Sequence, residues 1–152
     1  HAEENNTLLT MNFIQTVRLS FRGYRFMKSE ILQKLYLGKE SVNPGRCIAY
    51  AVRQSKSDEI VGVIELTAQL HNELYQIVNF YVYEDYAHNG VGGYLLNTAE
   101  REVLNMGIHK ITVEPTSLYF EGLPDITQEE RICIYEHLGF TMKQENTMEK
   151  EI

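Results

Sequence analysis

The chain is poor in the residues that mark metalloproteins and disulfide scaffolds. Its two cysteines, Cys47 and Cys133, stand far apart without CxxC spacing, so neither a disulfide framework nor a zinc site is expected. The five histidines form no HxxxH or HExxH pair, and no metal is expected. Basic charge is short as well: 14 Lys and Arg stand against 21 Asp and Glu, for a formal net charge of −7. A non-specific nucleic-acid binder needs a basic face, so nucleic acid is excluded as a partner. The acidic balance serves solubility and also suits a cationic partner such as an amine. No segment is long and apolar enough to span a membrane, and no signal-peptide pattern opens the chain. A cytoplasmic, reduced setting with no membrane partner is the expectation.

At 152 residues and 43% apolar content, the chain is expected to form one domain, 1–152, with a single core. Residues 1–6 are polar and begin His1-Ala2, so they are read as disordered or derived from expression or processing. Thr7 to Phe13 alternates as a strand. Phe26, Ile31, Leu32, Leu35 and Leu37 lie near helical spacing and predict a helix over 24–37, with Gly38 as its stop. Asn43-Pro44-Gly45 marks a turn. Strands are then predicted at Cys47–Arg53, Ile60–Leu66 and Leu74–Tyr83, in an antiparallel meander. A helix follows over about 90–106, with Val91, Leu95, Leu96, Ala99, Val103 and Leu104 on its apolar face and Gly107 as its stop. His109–Glu114 is predicted as a strand parallel to the one before the helix, because a helical crossover joins them. Residues 115–126 read as a long loop, Thr127–Leu138 as a helix with a Thr127/Glu130 capping box, and Phe140 to about Met148 as a last strand.

The chemistry centres on the junction Tyr83-Glu84-Asp85-Tyr86-Ala87-His88-Asn89-Gly90-Val91-Gly92-Gly93-Tyr94. A glycine-bearing loop between a strand and a helix N-terminus lets backbone N–H groups approach an anion, most often a phosphate. GxGxxG fits poorly, because Leu95 stands where the third glycine belongs. A P-loop is excluded, because Tyr94-Leu95 follows the last glycine in place of Lys-Ser/Thr. A ligand-free helix start packed on its neighbouring strand is the bland alternative.

This stretch resembles the GNAT family, the N-acetyltransferases that use acetyl-CoA. Its members commonly show a strand ending in Val, then Arg/Gln-x-x-Gly-x-Gly/Ala and a pair of apolar helix residues, matched here by Val82 and by 87–96. Ile134-Tyr135-Glu136-His137-Leu138-Gly139-Phe140 is similar to the family's Leu-Tyr-x-x-x-Gly-Phe ending. The departures are Ala87 at the Arg/Gln position, Gln76 where some members carry a base glutamate, and Gln128 where an Asn is usual. The resemblance implies an α/β fold with a mixed, mainly antiparallel sheet, a central splayed parallel pair and helices on both faces. It implies acetyl-CoA as co-substrate, cradled by Tyr81, Val82, Ala87, His88, Asn89, Gly90, Val91, Gly92, Gly93 and Tyr94, chiefly through main-chain groups. It also makes Tyr135 the general acid that protonates the leaving thiolate, a role open to a phenol of pKa about 10.

An amine acceptor must lose a proton before attack, and two carboxylates are candidates for the base: Glu65 on the preceding strand and Glu114 at the end of the strand after the helix. Each also reads as a solvated edge carboxylate. Asn79 and Tyr81 share a strand face and could order a water chain instead. Tyr75, Tyr81, Tyr83, Tyr119 and Phe120 are either core or an acceptor lining. The expected activity is acetyl transfer to a primary amine of a small molecule or protein, by direct attack in a ternary complex. A polyamine, aminoglycoside, amino sugar or protein amine would each serve. A non-catalytic acyl-CoA-binding or regulatory module is the alternative, favoured by the missing base. A homodimer is compatible with the resemblance, and the oligomeric state is not legible.

Overall fold

The computed structural model describes residues 35–39, 46–69, 71, 73–86, 89–115 and 126–152. The strand expected at Thr7–Phe13, most of the helix expected over 24–37, positions 87 and 88, and most of the 115–126 loop lie outside the described residues. The elements are β1 (Leu35–Lys39), β2 (Cys47–Gln54), β3 (Ile60–Gln69), β4 (Leu74–Val82), a short 3-10 turn at Glu84–Tyr86, α1 (Val91–Asn105), β5 (Lys110–Val113), α2 (Gln128–His137), β6 (Thr141–Gln144) and β7 (Thr147–Glu151). They build one seven-stranded sheet in the order β1-β2-β3-β4-β5-β7-β6. Every neighbouring pair is antiparallel except β4 and β5, which are parallel across the α1 crossover. The mixed sheet with a central parallel pair is as expected. No described helix is long and apolar enough to cross a membrane.

Two elements correct the sequence reading. Leu35 and Leu37 belong to strand β1, not to a helix end, and Gly38 sits inside that strand. Both leucines are buried on one face, opposite Gln54 and Val52 of β2. An apolar pair two residues apart fits the period of a strand as well as the fringe of a helix. The last strand is instead a hairpin, β6 and β7, turning at Glu145-Asn146 with Asn146 at φ 59°. Asparagine tolerates that left-handed conformation, which lets the chain reverse there.

The face of the sheet is set by a few side chains. Ile64, Leu66, Tyr75 and Ile77 are buried in the core with Leu95, Leu96, Ala99 and Val103 of α1. Beyond the core, Lys150 of β7 donates to Glu100 of α1 at 2.6 Å. Tyr50 of β2 and Lys39 of β1 both donate to Glu102 of α1. The helix ends as Gly107 turns into the left-handed region at φ 79°, with its N–H donating to Leu104 and that of Ile108 to Val103.

Gly62 of β3 lies tightly against backbone. A Cβ there would lie 3.0 Å from the Tyr81 carbonyl oxygen and 3.2 Å from Leu95 Cδ1 and Val82 Cγ2. Gly62→Ala is therefore expected to destabilise the protein by about 1–3 kcal/mol, as overpacking does in a close-packed interior. A urea titration measures it, and an unchanged midpoint would show that β3 and β4 can part without cost.

Candidate functional site

The parallel ladder between β4 and β5 runs Tyr75↔Ile111, Gln76↔Thr112, Ile77↔Val113 and stops there, while β4 continues to Val82. The sheet opens at that point. A bulge produces the divergence: against β3 the register passes from Leu66↔Ile77 to Glu65↔Asn79, leaving Val78 as an extra residue on β4. A bulge bends its strand and raises its twist. It also reverses the alternation. Tyr75 and Ile77 face α1 before it, and Phe80 and Val82 face α1 after it. Asn79 and Tyr81 turn to the opposite face, opposite Glu65 and Val63 of β3.

The start of α1 stands over the splayed half of β4. Gly90 is the N-cap at φ 83°, and no side chain caps the helix. The Tyr94 N–H donates to the Gly90 carbonyl at 3.1 Å, which closes the first helical turn. The N–H groups of Val91, Gly92 and Gly93, ahead of that bond, have no acceptor within the helix. No acidic residue lies in this turn. A Cβ on Gly92 would make ordinary contacts with Val82 Cγ2 at 3.6 Å and the Phe80 ring at 3.8 Å, so the turn packs directly on the departing strand. The Asn89 side chain donates to the Tyr86 carbonyl at 3.2 Å and braces the loop. Tyr94 differs from its neighbours: its N–H serves the helix and its ring is 1% exposed, in the core. Ala87 and His88 lie outside the described residues.

Tyr135 closes the other side. Its ring centroid lies 6.2 Å from Phe80 and 5.5 Å from Phe140, edge-on to the latter. The Tyr-x-x-x-Gly-Phe pattern has a local cause in the helix ending. Gly139, at φ 99°, donates its N–H to Glu136, and Phe140 donates to Tyr135, each at 3.0 Å. This is a Schellman ending, in which the residue after the glycine packs on the one five positions back. The helix start is also as read: Thr127 caps it, accepting from the Glu130 N–H at 3.1 Å. Burial pushes the Tyr135 phenol well above its usual range, with Arg131, one turn earlier, pulling it partly back. The hydroxyl therefore stays protonated across neutral pH.

Glu65, one of the two candidate bases, lies on the face away from α1, opposite Asn79. Glu65 accepts from the Asn79 side-chain amide at 2.7 Å and from the Cys47 thiol at 3.7 Å. Burial first, then the Glu65 charge and hydrogen bond, push the Cys47 thiol up, so it remains S–H. Glu114 follows Val113, the last β5 residue in the parallel ladder, and so falls level with the bulge at Val78. Tyr81 lies edge-on to Tyr83, with centroids 5.3 Å apart. Tyr75 belongs to the core at 1% exposure, its hydroxyl against Met106 Sδ. Tyr119 and Phe120 lie outside the described residues. Among the described residues, no group of three or more His, Cys, Asp or Glu gathers as a metal set.

Phe80 and the Val78 bulge were missed in the sequence reading. The signal was present as apolar positions moving from odd (Tyr75, Ile77) to even (Phe80, Val82) within one strand. That parity change is what one inserted residue produces.

Comparison with known proteins agrees with this geometry. The sequence model described as the acetyltransferase (GNAT) family matches residues 13–119. A search of curated protein sequences gives no match. Among solved structures, the PaiA N-acetyltransferase of Thermoplasma acidophilum in complex with coenzyme A is similar at a TM-score of 0.54 and 19% identity, over 70% of this chain and 62% of that one. This chain thus covers less than two thirds of that relative's length. A GNAT family acetyltransferase of Elizabethkingia anophelis with acetyl-CoA bound gives a TM-score of 0.57 at 14% identity, covering 78% of this chain and 99% of the other. The ribosomal-protein-S18-alanine N-acetyltransferase of Escherichia coli gives 0.54 at 18% identity, covering 72% of each. These likenesses show the fold, and the match over 13–119 shows the family. The chain belongs to the GNAT acetyltransferase family.

Proposed function

We propose that the protein is an acetyl-CoA-dependent N-acetyltransferase that acetylates a primary amine by direct attack in a ternary complex. One observation carries this reading: the β4–β5 ladder ends at Ile77↔Val113 beside both the uncapped start of α1 and the Tyr135 ring. An open cleft at the C-terminal ends of parallel strands is where such sheets take ligands. In this reading the N–H groups of Val91, Gly92 and Gly93 receive the pyrophosphate of acetyl-CoA, with the loop at Asn89 and Gly90 shaping the approach. The pantetheine arm lies along the freed edge of β4 near Tyr81 and Val82. Main-chain N–H there steadies the oxyanion of the tetrahedral intermediate. Tyr135 gives its proton to the departing CoA thiolate.

A thiol-release assay over a panel of primary amines tests the activity. Release of CoA that depends on both acetyl-CoA and an amine is the expected result. Acetyl-CoA binding without release for any amine would favour a non-catalytic acyl-CoA-binding module.

A further inference from the structure

A buried acid has to carry charge for part of every turnover. Tyr135 is 6% exposed and packs against the Phe80 and Phe140 rings. That setting suits the neutral phenol. It opposes the phenolate left once the proton has gone, because an uncompensated charge in apolar surroundings is costly. Burial by itself therefore makes Tyr135 a poor donor. Its phenol stands well above the ordinary range, while a departing thiolate takes a proton with a pKa of about 8.5 by analogy with Cys. The two phenylalanine rings bring no charge and do not titrate. Among the described residues, the charge that acts on this phenol is that of Arg131.

The fold fixes where that charge sits. Arg131 lies one turn before Tyr135 in α2, at the i, i+4 spacing that puts both on one side of the helix. It is half-buried, whereas the other charged residues of α2, Glu129, Glu130, Glu136 and His137, are exposed. Its guanidinium Nη1 donates to the Pro115 carbonyl at 3.4 Å. Pro115 is buried just past Val113, where the β4–β5 ladder stops. The tie holds the cation to the β5 side of the opening, next to the helix that carries Tyr135. A guanidinium suits this place, because it stays charged at every working pH and is more weakly hydrated than an ammonium.

We infer that Arg131 is a positioning residue for the proposed reaction: its guanidinium offsets the negative charge that Tyr135 acquires on protonating the departing CoA sulfur. This rests on the acetyltransferase reading above and deepens it. The amine nitrogen forms a bond to the thioester carbonyl carbon, and the carbonyl electrons move to oxygen. As they return, the C–S bond breaks, and the sulfur takes the Tyr135 proton. The electron pair of that O–H bond stays on Tyr135 as phenolate, within the field of Arg131. The nitrogen's surplus proton then restores the phenol. One amide and one CoA thiol result, and Arg131 is unchanged.

Arg131→Gln and Arg131→Met remove the charge, and Arg131→Lys keeps it. CoA release is followed with 1,4-diaminobutane, an amino sugar and a lysine-bearing peptide. Both neutral variants are expected to keep the acetyl-CoA thermal shift and the KM for acetyl-CoA, and to lose about tenfold in kcat. Arg131→Lys should recover most of that loss. In a Tyr135→Phe background, Arg131→Gln should change kcat by less than about twofold, because the phenol through which it acts is gone. A second reading needs no turnover. In protein labelled with 3-fluorotyrosine, the Tyr135 fluorine resonance is the one that Tyr135→Phe removes. Its titration midpoint is expected to rise by about one pH unit in Arg131→Gln and to hold in Arg131→Lys. A raised KM for acetyl-CoA at unchanged kcat overturns the inference and makes Arg131 a cofactor contact. An equal loss of kcat in the wild-type and Tyr135→Phe backgrounds also overturns it, and leaves Arg131 as a structural tie to Pro115. So does an unmoved fluorine midpoint, whether or not any probe is acetylated. These outcomes leave the acetyltransferase reading standing. Absence of any acetyl-CoA shift in the wild type strikes that reading itself, and the inference with it.

Discussion

Replacing Tyr135 with phenylalanine is expected to lower kcat for amine acetylation by about 10²- to 10⁴-fold, the usual contribution of a positioned general acid. The reason is the division of labour within one side chain. The ring is fixed by the ending of α2, packed edge-on against Phe140 and tilted against Phe80. Phenylalanine keeps all of that. The hydroxyl is what remains for chemistry, and no hydrogen bond from it to a described residue competes for it. Acetyl-CoA binding and the melting temperature should therefore stay close to wild type while turnover collapses. Loss of both together would mean that the hydroxyl serves the fold. Turnover equal to wild type would mean that the thiolate leaves without Tyr135. The acid limb has a further sign. Because burial raises the phenol, kcat should not fall as pH climbs from 7 towards 10, as it would for an exposed tyrosine acid of ordinary pKa.

Alkaline pH is expected to unfold the protein steeply, and of the five described tyrosines that burial raises, the three with the largest shifts contribute most. Tyr50, Tyr94 and Tyr135 are all held above the ordinary phenol range, each first by burial. For Tyr50 the hydrogen bond to Glu102 adds to this, whereas Arg101 and Arg131 oppose it at Tyr94 and Tyr135. A phenol whose folded pKa is raised supports the fold fully below its unfolded pKa of about 10 and loses that support as pH rises further. Above pH 10 the unfolded chain releases protons that the folded chain retains. Each such tyrosine then removes about 1.4 kcal/mol of stability per pH unit, and three remove about 4. Against a typical total of about 5–15 kcal/mol, the folded state should fail within a few pH units above 10. Equilibrium urea midpoints at stepped pH would measure the slope. Tyr135→Phe should make it shallower by about 1.4 kcal/mol per pH unit. A flat profile to pH 11.5 would show that these phenols reach solvent.

Much of this molecule was legible in the sequence because local chemistry and tertiary packing agree there. The strands at 47–54, 60–69 and 74–82 carry the period-2 pattern, the helix from Val91 carries a clean apolar stripe, and Thr127 caps where a capping box predicts. The glycines near the junction were readable because Gly90 sits at φ 83°, a conformation that side chains disfavour. Three features were not legible, each for a physical reason. β1 was read as a helix end because Leu35 and Leu37 satisfy two periods at once, and only pairing with β2 decides between them. The β6–β7 hairpin was read as one strand because Glu145-Asn146 is a weak turn signal, and the left-handed Asn146 emerges only when Met142 and Met148 pair. The bulge at Val78 was hidden because a bulge is a relation between two strands. That bulge matters most for the site: it sends Asn79 to Glu65 and Phe80 to Tyr135, so the two sides of the cleft are sorted by one inserted residue.

If the opening beside the start of α1 holds acetyl-CoA, the ligand must raise the stability of the folded protein. A ligand that binds only the folded state stabilises it by RT ln(1 + [L]/Kd), which is about 2.7 kcal/mol at a hundredfold excess over Kd. Thermal unfolding with and without millimolar acetyl-CoA, with NADH as the comparison dinucleotide, gives the answer. A clear rise in melting temperature with acetyl-CoA and none with NADH is the expected result. No rise with acetyl-CoA, or an equal rise with NADH, would contradict it.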